Sequence, residues 1–406
     1  MLAVIETHPV QYHAPVYRAL QAVYSVPVTA IYGSDFSIAG YRDREFGVSF
    51  AWDTDLLAGY DSHFLGRVSE GGPAGYDDVQ TRGLGALLRR LRPHAVLLLG
   101  YASRFDWIAC YESWRSGLPL LFRAETTDHA AMRGALKTWT RQKVLRFMYR
   151  RFSRILYIGQ NSYRHYRRLG VSEDKLIFAP YCVNTGPFFC GEDARSRLRS
   201  PTRAELGLVD SDIAVLFSGK ISERKGPDLL LQAAKTLPES VRTQISLCFL
   251  GDGQLREALQ CESTREPTVR TKFLGFQNQT QLSQFYHAAD VVVLPSRWGE
   301  TWGLVVNEAL HHGVPCLVSE AVGCAPDLIE ADATGYIFTT NNAQSLASVL
   351  QQVSKLIDSS TTRTKCRQKV SGYSVEEAAR GIAQAYAQVT QQALPVEPVV
   401  TNGWVQ

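Results

Sequence analysis

Phe217-Ser218-Gly219-Lys220-Ile221-Ser222-Glu223-Arg224-Lys225-Gly226-Pro227-Asp228 closes an apolar run that begins at Ala214. Ala214–Ser218 reads as a buried strand and Gly219 ends it. Pro227 then opens a helix in the first turn, where its missing N–H would have found no partner anyway. The helical pattern runs on to Lys235. The same unit recurs along the chain, short apolar runs alternating with longer amphipathic stretches. That alternation is the signature of βα units on a parallel sheet.

Working outward, the first half offers strands at Leu2–Ile5, Val26–Tyr32, Ala95–Gly100, Leu118–Phe122 and Ile155–Ile158. Helical patterns lie between them, at Pro15–Val23, Leu84–Leu91, Phe105–Arg115 and Ala135–Arg151. A second series gives strands at Ala214–Ser218, Ile245–Leu250, Lys272–Leu274, Val291–Leu294, Pro315–Val318 and Tyr336–Phe338. The polar and basic stretch Asn184–Thr202, with Gly186-Pro187 and Gly191, reads as the linker between them. A length of 406 residues also exceeds what one ordinary core organises. The fold class is therefore α/β, two Rossmann-like doubly wound domains facing across a cleft, with ligands expected at the carboxyl ends of both sheets. The expected divisions are 1–190, 191–372, a final helix 373–392 that begins at the N-cap pattern Ser374-Val375-Glu376-Glu377, and a flexible tail 393–406.

A net charge of +4 does not by itself imply nucleic acid, and none is expected as a partner. The eight cysteines form no CxxC pair, which argues against a zinc site and against a secreted disulfide scaffold. Cys248 sits in the apolar run Ser246-Leu247-Cys248-Phe249-Leu250, where a thiol packs as a small apolar group. The chain opens directly on a strand, and no apolar run reaches the ~20 residues that span a bilayer. The expectation is a cytoplasmic protein without a signal peptide.

The chemistry concentrates in the second series. Three cations, Lys220, Arg224 and Lys225, follow a strand end, where fixed positive charge suits a departing diphosphate. A solvated basic loop is the plain alternative. Leu250-Gly251-Asp252-Gly253 permits a close backbone approach or an ordinary turn. In Leu294-Pro295-Ser296-Arg297-Trp298-Gly299-Glu300-Thr301-Trp302-Gly303-Leu304-Val305-Val306-Asn307-Glu308-Ala309-Leu310, Glu300 lies in a strand-to-helix loop and Glu308 interrupts an apolar helix. Helix amides near Gly303 and Leu304 could face phosphate, and the carboxylates could accept from sugar hydroxyls. A buried glutamate satisfied by its own fold is the alternative for Glu308.

The spacing Glu300-x7-Glu308, with Trp302-Gly303-Leu304 between, resembles the Glu-x7-Glu signature of glycosyltransferase family 4. Gly219-Lys220 and Lys225-Gly226 are similar to the family's basic loop. Phe273-Leu274-Gly275-Phe276, Ala288-Ala289-Asp290, Gly313-Val314-Pro315, Gly323, Ala325-Pro326-Asp327 and Gly335-Tyr336 follow in the family's order, so the likeness covers residues 210–340. The resemblance implies a GT-B fold and retaining, metal-independent transfer from a nucleotide-diphosphate sugar, with no cofactor. Lys220 and Lys225 would hold the diphosphate, with Gly219 in the same loop. Glu308 would take the ribose hydroxyls, and Glu300 the transferred sugar. Thr301, Trp302, Gly303 and Leu304 would line the phosphate and sugar, and Gly275 and Phe276 the base. Cys324 stands where the family often has a second glycine.

In the first half, Thr7-His8-Pro9-Val10-Gln11-Tyr12-His13 replaces the family's common glycine-rich loop. It resembles a His-Pro-x-Gln-Tyr branch linked to bacterial surface polysaccharides, which places His8, Gln11 and Tyr12 on the acceptor side. After the strand Leu118–Phe122, the loop Arg123-Ala124-Glu125-Thr126-Thr127-Asp128-His129 offers Glu125 as a catalytic candidate and His129 as an acceptor-side one. Asp53-Thr54-Asp55 is a DxD far from the donor half and is read as a chance match rather than a metal site. From Arg133 to Arg168 there are eleven Lys or Arg and no acid, and a solvated helix face is the plain reading. That segment, 133–168, could instead lie on an anionic membrane surface. The reading is transfer of a hexosyl-type group to a glycan or lipid-linked acceptor in polysaccharide or glycolipid synthesis. A synthase with a soluble acceptor, a phosphorylase or epimerase of this fold, and a non-catalytic partner subunit are the alternatives.

Overall fold

The computed structural model describes residues 1–42, 49–50, 55–126, 128, 135–265, 267–357 and 360–393. In the first domain the strands are β1 (Leu2–Glu6), β2 (Val28–Tyr32), β3 (Tyr41–Arg42), β4 (Ser49–Phe50), β5 (Asp61–Phe64), β6 (Ala95–Leu98), β7 (Leu120–Arg123), β8 (Arg154–Tyr157) and β9 (Leu176–Phe178). All but the small antiparallel pair β3–β4 join one sheet in the order β5-β2-β1-β6-β7-β8-β9, and its pairings are parallel. β1 and β2 are buried on both faces, as expected when helices cover both sides of a parallel sheet.

The second domain holds β10 (Ile213–Ser218), β11 (Ile245–Leu250), β12 (Arg270–Gly275), β13 (Val291–Leu294), β14 (Cys316–Ser319) and β15 (Gly335–Phe338). They form a parallel sheet ordered β12-β11-β10-β13-β14-β15. The order reverses at β10, so the loops after β10 and β13 flank a crevice, the ligand position of such sheets. Two parallel-sheet domains therefore face each other across a cleft, the GT-B arrangement.

The expected linker Asn184–Thr202 is corrected by the structure: a helix spans Glu192–Glu205. Its composition is polar and Pro201 lies inside it, so neither periodicity nor propensity announces it. What holds it is charge. Arg203, buried, donates to Asp290 Oδ2 at 3.1 Å and to the carbonyls of Ala288, Val209 and Asp212. Arg199 meets the other oxygen of Asp290 at 2.5 Å.

The last helix, Val375–Thr390, is capped by Ser374, whose hydroxyl accepts from the Glu377 amide at 3.2 Å. Ala378, Ala379, Ile382, Ala383 and Tyr386 on this helix are part of the first domain's core, with Leu2, Val4, Val16 and Leu20. Among the described residues, no helix is long and apolar enough to cross a membrane.

Candidate functional site

Three turns at the carboxyl end of the second sheet are stitched to one another. Gly219 donates to the Leu250 carbonyl, Ile221 to Asp252, and Gly251 to Gly275, at 2.8–2.9 Å. Gly251 has φ 137°, and a Cβ there would stand 2.0 Å from the Gly219 oxygen, so only glycine fits this close approach. The basic loop is fixed from the other side. Arg297 grips Asp228 with two bonds, at 2.8 and 2.6 Å, and its amide donates to the Arg224 carbonyl at 2.8 Å.

These supports frame a cavity of about 430 Å³ between the domains. Gly219, Lys220, Lys225, Phe276, Glu300, Thr301, Trp302, Gly303, Leu304 and Glu308 line it from the second domain; His8, Gln11, Tyr12 and Glu125 line it from the first. Lys225 Nζ donates to Glu300 Oε2 at 2.5 Å, Ser296 donates to the same oxygen at 2.8 Å, and Arg224 lies at 3.5 Å. Burial alone would raise the Glu300 carboxyl. Lys225, then Arg224 and the Ser296 hydroxyl, outweigh it and hold the group below the ordinary carboxylate range.

Glu308 behaves oppositely. It lies in the second turn of the helix Leu304–His311, which Gly303 caps with φ 105°. Burial pushes its carboxyl up to about 7, against the Tyr286 hydroxyl and the Lys225 charge, which lower it. Tyr286 OH donates to Glu308 Oε2 at 2.5 Å. The Tyr286 ring stacks on His312 with centroids 4.9 Å apart, and His312 is held by the Glu308 carbonyl and by Ser283. The two glutamates thus share one cavity in different protonation environments.

Across the cleft, Thr301 donates to Glu125 Oε2 at 2.6 Å, a direct contact between the domains. Beneath it, Arg123 donates to the carbonyls of Ala179 and Pro180 and places its guanidinium 5.5 Å from the Tyr181 ring. His8 stacks on Phe36 at 4.5 Å, and burial lowers its ring to about 4, so it is neutral near pH 7. Gln11 is buried, and its Oε1 has no hydrogen-bond partner among the described residues.

Not every expected residue arrives as expected. Gly275 is not among the lining residues; it ends β12 and receives the Gly251 amide. Trp302 borders the cavity, but its indole is core: it is 2% exposed and donates to Asn307 at 2.8 Å. Cys324 keeps its loop's backbone contact, donating its amide to the Trp302 carbonyl at 2.9 Å. His129 and the DxD positions Asp53 and Thr54 lie outside the described residues, while Asp55 caps a turn by accepting from the amides of Leu57 and Ala58. Tyr181, Ser218 and the run Gln277–Gln279 line the cavity without a motif to announce them. Among the described residues no group of three or more His, Cys, Asp or Glu is arranged to hold a metal ion.

Residues 199–371 match the model described as glycosyl transferases group 1, and residues 42–182 match the glycosyl transferase 4-like domain. An uncharacterized glycosyltransferase of Methanocaldococcus jannaschii is 34% identical over 147 residues, 36% of each chain. A D-inositol 3-phosphate glycosyltransferase of Xylanimonas cellulosilytica is 31% identical over 236 residues, 56% of this chain and 54% of that protein. The chain thus spans 36% and 54% of these relatives' own lengths. Among solved structures, Anabaena HepE in complex with UDP superposes with a TM-score of 0.70 at 18% identity, covering 95% of this chain and 99% of that one. Sucrose-phosphate synthase from Thermosynechococcus elongatus gives 0.68 at 19%, covering 97% and 99%. The chain has a GT-B fold with a glycosyltransferase group 1 and 4-like domain architecture.

Proposed function

We propose that this protein is a retaining glycosyltransferase that moves a hexosyl-type group from a nucleotide-diphosphate sugar to a glycan or lipid-linked acceptor. The observation that carries the reading is the joining, in one interdomain cavity, of a charged Lys225–Glu300 pair with a second, buried glutamate. A scaffold that merely kept the fold would have no use for a buried carboxyl at about 7 facing a cleft.

In this reading Lys220, Arg224 and Lys225 receive the diphosphate, and the amides at Gly303 and Leu304 add to its contacts. Glu308 takes the ribose hydroxyls, with Tyr286 holding its carboxyl in place. Phe276 lies beside the base. Glu300 orients the transferred sugar, and Glu125 faces it from the other domain. Transfer breaks the bond between the anomeric carbon and the distal phosphate oxygen. A new bond forms to an acceptor hydroxyl, whose proton passes to the released phosphate. Charge that builds on that phosphate is matched by cations already fixed in place. His8, Gln11 and Tyr12 form the acceptor side, lining the cleft from the first domain.

UDP-sugars are the first donors to test, because HepE was crystallised with UDP and UDP-glucose. A metal-free thermal-shift screen of UDP-, GDP-, ADP- and dTDP-sugars tests the reading. One nucleotide-sugar should raise Tm in the wild type and fail to do so at the same concentration in Glu308→Gln. A flat response to every donor would reject the donor site. The helix Ala135–Arg151, with Trp139 and Phe147 exposed among cations, supports a peripheral position on an anionic membrane and hence a lipid-linked acceptor.

A further inference from the structure

A second cavity, of about 300 Å³, opens in the first domain where the helix Ala135–Arg151 ends beside the turn that follows the helix Gln160–Arg168. Both helices end where β8 and β9 begin, whereas the interdomain cleft lies at the strands' opposite, carboxyl ends. This cavity is therefore remote from the site described above. Four of its nine lining residues are cationic, Arg146, Arg150, Arg168 and Lys175, and none is acidic.

Part of this charge has a local explanation. Cations favour helix carboxyl termini, and Lys175 Nζ donates to the last carbonyls of the longer helix, at Phe152 (3.2 Å) and Arg150 (3.4 Å). Arg168 is paired with Asp128 at 2.8 and 2.5 Å. Arg146 and Arg150 have no such account: neither guanidinium makes a hydrogen bond or ion pair to another described residue. They lie four apart, so they share one helix face, and like charges so placed repel. An unpaired cluster of this kind, around a concave space, is stabilised by an anion that accepts several N–H bonds at once.

We infer that this cavity is an anion site for a phosphate or diphosphate group, with Arg146 and Arg150 as its principal donors. Phosphate has the oxygens to accept from both guanidinium forks and from Lys175 together. The group can belong to a soluble phosphate ester or to the headgroup of an anionic lipid.

The test uses the full chain and two probes, inorganic pyrophosphate and vesicles of phosphatidylcholine with and without phosphatidylglycerol. The double variant Arg146→Ala/Arg150→Ala alters exposed positions and leaves the interdomain cleft intact, so any pyrophosphate bound in the cleft is common to both proteins. Calorimetric titration of the wild type should show a pyrophosphate site that weakens about tenfold or more in the double variant, or cosedimentation with the anionic vesicles should fall by that much. Loss confined to pyrophosphate assigns a soluble ligand; loss of vesicle binding assigns a lipid headgroup. Equal binding of both probes by the wild type and the double variant would overturn the inference, as would no binding of either by the wild type.

Discussion

Glu308 shows how one side chain couples binding to stability. Its carboxyl ordinarily titrates near 4.5, and in the folded protein near 7. The folded state therefore keeps a proton that the unfolded chain has released, so the stability linked to this group is full below pH 4.5 and is lost as pH rises through 7. Replacement by Gln removes that loss. Urea unfolding of the ligand-free protein should show Glu308→Gln gaining on the wild type between pH 5 and 8, by up to about 3 kcal/mol. Parallel pH curves for the two proteins would reject the shift. For Lys225→Ala the expectation is kinetic: kcat for transfer falls by roughly a hundredfold while the donor's Kd changes much less. A wild-type kcat in that variant would remove Lys225 from the reaction. Both residues were legible in the sequence, because glycine-flanked loops and a lone carboxyl in an apolar helix stand out from their neighbours. The group that holds Glu308, and part of the cavity wall, were not. Tyr286 reaches Glu308 from 22 positions away, and Tyr181 enters the cavity from a loop without any pattern, so only the folded chain brings them in.

Among the elements, every strand of the second sheet was legible, because five carry a buried apolar run and β12, though partly exposed, keeps Phe273-Leu274 before its closing glycine. In the first sheet the two edge strands were not: Asp61-Ser62-His63-Phe64 (β5) is partly exposed and held by backbone pairing with β2, and Leu176-Ile177-Phe178 (β9) is only three residues long, paired with β8, so neither leaves a clear apolar signature. The helix Glu192–Glu205 escaped for a related reason, since its attachment is ionic rather than apolar. Arg203→Ala strips a buried carboxylate of one of its partners and should cost about 3 kcal/mol or more in urea unfolding. A loss below 1 kcal/mol would show that Arg199 alone anchors the helix. Gly251→Ala forces a methyl group against the Gly219 carbonyl at a φ that alanine avoids. It should lower Tm and abolish the donor-induced shift, because the turn cannot open without moving Lys220.

At the scale of the molecule, the two domains are tied at the start of the helix that follows β8. Asp327 accepts from the Gln160 amide at 3.0 Å and from Tyr373 at 2.9 Å, while Asn161 and the Gln160 side chain reach the carbonyls of Gly323 and Pro326. Burial raises the Asp327 carboxyl, against these donors. Asp327→Ala should loosen the cleft, seen as a larger radius of gyration by X-ray scattering with little change in either domain's helix signal. An unchanged scattering curve would mean that the Thr301–Glu125 contact and the apolar packing set the angle without it. The chain also crosses between domains twice, and the second crossing ends in the helix Val375–Thr390. During synthesis the first sheet precedes this helix by some two hundred residues, so the apolar side that it covers cannot close until residues 375–390 have been made. The second domain, whose strands all lie between residues 213 and 338, can close first. The core of the first domain is thus completed by residues that follow the whole second sheet in the chain.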